Sequence, residues 1–158
     1  MSILSNRNKK IGAKPVQREA ADQRALFHWA FLNRVKYPAL ENIFAIPNGG
    51  SRNLIEAHNL KLGGVKSGVP DIFLAWPQNG SQWPNEKGAS GLFIELKAAR
   101  GRVSPEQAEW IKKLNSVGYK AVVCYGFESS AILICDYLGI DSKTTGIYPV
   151  CKSPVQGL

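Results

Sequence analysis

A chain of 158 residues, 44% of them hydrophobic, is long enough to fold as one domain around a real core. No apolar run approaches the ~18–20 residues that span a bilayer, and the opening MSILSNRNKKIGAK has no apolar stretch of signal-peptide length. Twenty Lys and Arg against 12 Asp and Glu leave a formal charge of +8, a balance that suits a polyanionic partner such as nucleic acid, though a merely soluble basic protein has it too.

Residues 1–15 read as a flexible basic tail. Arg7, Lys9, Lys10 and Lys14, with Arg18 just beyond, all precede the first acidic residue, Glu19. A domain over 16–150 follows, then a C-terminal tail over 151–158. Within the domain, 16–35 has the wide apolar stripe and Ala-rich start of a long helix. NIFAIPNGG (42–50) predicts a short strand ended by a turn, and 53–64 a second helix stopped by Gly63. GVPDIFLAWP (68–77) places a strand at 70–76, apolar on both faces and headed by a carboxylate. A polar loop over 77–90 leads to GLFIELKAA (91–99), another strand. SPEQAEWIKKLNSVG (104–118) carries the signals of a capped helix: Ser104 at the N-cap, Pro105 in the first turn, Gln107 to complete a capping box, and Gly118 to end it. A strand over 119–126 and a helix over 129–139 complete the order α-β-α-β-β-α-β-α. That order predicts an α/β fold, a mixed sheet flanked by helices, with 70–76 and 91–97 paired as a hairpin. The three cysteines, Cys124, Cys135 and Cys151, are odd in number and lack a C-x-x-C pair, which points to reduced thiols in a cytoplasmic protein.

Strand alternation in GLFIELK sets Phe93, Glu95 and Lys97 on one face and Leu92, Ile94 and Leu96 on the other. Asp71, at the head of the neighbouring strand, reaches the same spot. Two carboxylates and an ammonium at one point are costly for stability alone. A hard divalent cation such as Mg²⁺ resolves the like-charge problem. The competing readings are an exposed Glu95–Lys97 ion pair and Asp71 as a turn cap. His28 and His58 are isolated and read as incidental to the chemistry.

The sequence resembles the VRR-NUC family of the PD-(D/E)xK nuclease superfamily, in its stand-alone single-domain form. The resemblance runs from about Glu19 to Leu138 and rests on IPNGG (46–50), GVKSGVPD (64–71), IELK (94–97), SPEQ (104–107) and GYKAVV (118–123) in that order, with 24 positions from Asp71 to Glu95. It implies a restriction-endonuclease-like core, with Asp71 and Glu95 as metal ligands, the Leu96 carbonyl as a further ligand, and Lys97 as the catalytic lysine. Gln107 is implied as a site residue, against the helix cap as its other reading. The first helix is implied to add a carboxylate that is both metal ligand and catalytic; Glu19 fits, with Asp22 as the rival. Asn48, Lys66 and Ser67 fall in the matching segments as nucleic-acid contacts or as turn residues. Arg100 and Arg102, after the strand, are placed for flanking phosphates or are ordinary surface charge.

The resemblance further implies a Mg²⁺- or Mn²⁺-dependent endonuclease that leaves a 5′-phosphate and a 3′-hydroxyl, acting on DNA, with branched DNA such as a four-way junction as substrate and a homodimer as the working form. The helix SSAILICDYLGI offers an apolar interface for that dimer, or else a core helix. Two alternatives stay open: a sequence-selective restriction-like nuclease, and a nucleic-acid-binding module that does not cleave. The latter would use Trp76, Trp83 or Trp110 for stacking, against the reading of all three as buried aromatics.

Overall fold

The structure is a computed structural model that describes residues 15–47, 54–78 and 88–148. The basic tail, Asn48, Trp83, Cys151 and the C-terminal tail lie outside the described residues. Chain order is α1 (Pro15–Asn33), a 3₁₀ turn (Pro38–Asn42), β1 (Ile43–Ala45), α2 (Leu54–Leu62), β2 (Ile72–Leu74), β3 (Leu92–Lys97), α3 (Pro105–Ser116), β4 (Lys120–Tyr125) and α4 (Phe127–Leu138). The strands form one mixed sheet in the order β1-β2-β3-β4. β2 pairs antiparallel with both β1 and β3, and β3 pairs parallel with β4 across α3. The predicted α/β architecture and central hairpin are both present.

Alternation divides the sheet into two faces. Ile72, Leu74, Leu92, Ile94, Leu96, Val122 and Cys124 point to α1 and α4, where they join Leu26, Trp29, Ile134 and Tyr137 in the larger core. Ala121 and Val123 point to the other face, where they meet Ile111 and Leu114 of α3. On that face Phe93 stacks on Phe73 at 4.2 Å and meets Tyr119 edge-on at 5.3 Å. Cys124 and Cys135 are buried as free thiols, and burial pushes Cys124 up to about 12. Among the described residues no helix is long and apolar enough to cross a membrane.

Three expectations need correction. The first helix stops at Asn33, not 35, because Pro38 keeps Tyr37 out of helical geometry (φ −129°, ψ 83°) and the chain turns on the Asn33 carbonyl. The apolar run 70–76 gives a strand of only three residues, 72–74. Asp71 lies in a bend ahead of it; past Leu74 the Ala75 N–H still bonds the Asn42 carbonyl in the β1 register, and the Trp76 N–H then folds back on the Leu74 carbonyl. Trp76, read as one of three buried tryptophans, is 42% exposed there. Of the two readings kept for the helix SSAILICDYLGI, the core helix is the one that forms: Ala131, Leu133, Ile134, Cys135 and Tyr137 of α4 are all buried within the chain.

β4 is an outer strand, and outer strands leave backbone groups unpaired. Asn115 of α3 meets that need. Its side-chain amide donates to the Ala121 carbonyl at 3.0 Å and its oxygen accepts from the Ala121 N–H at 3.0 Å. Asn115→Ala leaves both groups without that partner at a buried position, so it is expected to cost about 1–3 kcal/mol. A lower urea midpoint at unchanged slope is the expected measurement.

Candidate active site

Strand alternation carries Glu95 and Lys97 to the α3 face, and packing then buries them. Glu95 is fully buried and Lys97 is 9% exposed, so the exposed ion pair considered for E-x-K is not what forms. The Lys97 Nζ stands 2.6 Å from Glu95 Oε1. The Gln107 side-chain N–H donates to that same oxygen. The other oxygen, Glu95 Oε2, is buried without a hydrogen-bond partner.

Continuing the β2–β3 register outward from Ile72↔Ile94 sets Asp71 across from Glu95 and Pro70 across from Leu96. The Asp71 carboxylate accepts from the Leu96 N–H at 3.2 Å. Proline has no N–H, so the Leu96 carbonyl receives no hydrogen bond from that position. From the opposite layer, Glu19 of α1 reaches around the sheet end, where its Oε1 accepts from the Ala98 N–H at 3.1 Å. The result is a cleft of about 270 Å³ lined by Glu19, Asp71, Lys97, Ser104, Gln107 and the 67–69 turn.

Burial raises the Asp71 carboxyl above its usual range, against the opposing Leu96 N–H and Lys97 charge. Glu95 is pushed up to about 7, by burial first and then by the Asp71 charge. For Lys97, burial pulls downward, but the bond to Glu95 and the surrounding carboxylates outweigh it, and the ammonium is strengthened. The site is an acidic cluster held around one cation. Among the described residues no three acidic, imidazole or thiol groups converge into a finished metal cage. Asp71 and Glu19 each rest an oxygen on a backbone N–H instead. The oxygen-rich donor set and the unpartnered buried Glu95 Oε2 nevertheless fit a hard divalent ion.

The structure thus brings together Glu19, Asp71, Glu95, Leu96, Lys97, Gln107 and Ser67. Asp22, the rival to Glu19, is turned away: it stands beside Gly126 and the Phe127 N–H at the start of α4. Gln107 closes the capping box and reaches Glu95 at once. Its Oε1 accepts from the Ser104 N–H at 2.9 Å to close the capping box, while its amide N–H serves Glu95. Lys66 is exposed at a neighbouring cleft beside Ile46 and Val65, outside the one just described. Arg100 and Arg102 are exposed in the loop after β3 and do not line the cleft. Sequence reasoning missed two supports. Gly101 lies so close to Lys97 that a Cβ would stand 3.1 Å from its side chain. Trp110 donates its indole N–H to the Ser67 carbonyl at 3.0 Å. The signal for Trp110 was its place three residues beyond Gln107, on the same helix face.

Comparison with known proteins agrees with this geometry. The VRR-NUC domain family matches residues 12–128. A solved structure named VRR_NUC domain protein is similar over 78% of this chain and 89% of its own, at 28% identity and a TM-score of 0.62. No curated protein matches the chain. With most of its length matched, and with Asp71 and Lys97 lining one cleft and Glu95 buried against Lys97, the chain belongs to the VRR-NUC domain family, a family of nuclease domains.

Proposed function

We propose that this protein is a divalent-metal-dependent endodeoxyribonuclease that acts on branched DNA, with a four-way junction as the preferred substrate and a homodimer as the working form. The observation that carries the reading is the buried, unpartnered Glu95 Oε2 beside the Asp71 carboxylate. Two carboxylates this close are costly in a low-dielectric site; a proton shared between them, which the raised Glu95 pKa allows, or a cation beyond Lys97 relieves the cost, and we take the cation. Asp71, Glu95, Glu19 and the Leu96 carbonyl would hold Mg²⁺ or Mn²⁺. When bound, such an ion neutralises phosphate charge and lowers the pKa of a coordinated water.

The chain's own residues supply the rest. Lys97, held by Glu95, directs its ammonium to the attacking water and to the charge that grows on the phosphoryl oxygens. Gln107 keeps the Glu95 carboxylate in one orientation. The water oxygen bonds to phosphorus as the bond to the 3′ oxygen breaks; the attacking water gives its proton to solvent and the 3′ oxygen takes one from solvent, which leaves a 5′-phosphate and a 3′-hydroxyl. Lys66, Ser67, Asn48, Arg100 and Arg102 are the proposed contacts to DNA. The exposure of Lys66, Arg100 and Arg102 suits phosphate contact outside the cleft. A junction needs two symmetric nicks, and a two-fold dimer offers two centres at a fixed separation. Phe31, Leu32 and Val35, exposed at 58%, 64% and 85% near the end of α1, supply apolar surface for that pairing.

The test of the whole reading is cleavage of labelled duplex, flap, single-stranded and four-way-junction DNA, each in EDTA, Mg²⁺ or Mn²⁺, with light scattering alongside. Cleavage only with metal, fastest on the junction, and a dimer mass are expected. Activity in EDTA would remove the metal, and equal rates on duplex and junction would remove the preference. Glu95→Gln takes away a charge without changing shape. It is expected to lower cleavage at least ~10²-fold, while DNA affinity in EDTA holds or rises because a repelling anion is gone. Lys97→Ala is expected to lower kcat roughly 10²–10³-fold with KM nearly unchanged. A loss confined to KM would make Lys97 a substrate contact.

A further inference from the structure

The turn that leads into Asp71 is tied to α3 at two points. The Trp110 indole N–H donates to the Ser67 carbonyl at 3.0 Å. One residue on, Gly68 sits at φ +82°, and a Cβ there would stand 2.9 Å from the Glu106 backbone. Glycine alone suits both that conformation and that approach. Gln107 holds Glu95, and Trp110, from the same helix face, holds the turn four residues ahead of Asp71. One helix face therefore sets the relative height of two carboxylates that come from different parts of the chain.

We propose that Trp110 is a positioning residue of this site: its indole N–H, through the Ser67 carbonyl, fixes the turn that carries Asp71 against Glu95. Its effect on catalysis rests on the nuclease reading; its effect on the turn rests on geometry alone. Trp110→Phe isolates the hydrogen bond, since phenylalanine keeps most of the ring volume and lacks the N–H. Lys113→Ala is the companion variant, because the Lys113 ammonium stands 5.0 Å from the Trp110 ring centre and its loss keeps the N–H.

Two readouts decide the matter. The Leu96 amide resonance reports the Asp71 carboxylate that accepts its proton. In Trp110→Phe this resonance is expected to move, and kcat for DNA cleavage to fall about 10- to 100-fold with KM within about twofold. Lys113→Ala is expected to leave both near wild type. Gly68→Ala, which strains the same contact from the other side, is expected to reproduce the Leu96 shift. An unmoved Leu96 amide in Trp110→Phe overturns the proposal whatever the activity. A kcat equal to that of wild type, or a KM rise at constant kcat, overturns it as well, the latter by making Trp110 a DNA contact. Should the wild-type protein cleave no DNA under any condition, the nuclease reading fails, and the Leu96 amide alone decides the place of Trp110.

Discussion

Taking a carboxylate and an ammonium out of water costs several kcal/mol per ion, and their mutual attraction offsets this only when further hydrogen bonds complete the pair. The Glu95–Lys97 pair lives under that constraint. Its partners come from every side. α3 delivers Gln107 to Glu95, and the strand pairing delivers Asp71 across from it. The close approach of Gly101 shapes the space around the Lys97 methylenes. A sheet that paired one residue out of register would turn these side chains into the α1–α4 core, where no partner waits.

The pair also explains the unequal roles of the layers. The α1–α4 side holds the larger apolar cluster. The α3 side is thinner, with Ile111, Leu114, Ala121 and Val123 at its centre, and the site sits at its margin. Hydrophobic burial on one face thus secures the sheet, which leaves the end of the other face free to hold an arrangement that contributes little stability itself.

What was legible in the sequence follows from how local the signal is. The two faces of β3 are set by alternation, and the start of α3 by its capping box, so Glu95, Lys97 and Gln107 were legible before any packing was known. Asp71 was legible because Pro-Asp heads an apolar run. The choice between Glu19 and Asp22 was not, because they lie one turn apart on a helix and only its docking angle separates them. The extent of β2 was overread because apolarity marks burial, whereas strand length depends on the partners, and β1 pairs over only three residues. Trp76 was misjudged for the same reason, since the ladder is interrupted after Leu74, where the Trp76 N–H folds back on the Leu74 carbonyl. The α4 helix was ambiguous because an apolar helix reads alike in a core and at an interface. Trp110 went unseen as a tether because its partner, the Ser67 carbonyl, is a backbone atom with no mark in the sequence.

The double engagement of Gln107 has a consequence beyond its two hydrogen bonds. The Ser104 N–H donates and so needs the Gln107 oxygen as its acceptor, which fixes which end of the amide faces the helix start and leaves the nitrogen end turned to Glu95. The side chain is therefore a polarity filter, with one end obliged to be an acceptor and the other a donor. Glutamate serves a capping box as well as glutamine does, yet at this position it would add a fourth carboxylate to Glu19, Asp71 and Glu95. Helix chemistry alone permits two residue types here, and the neighbouring strand reduces them to one.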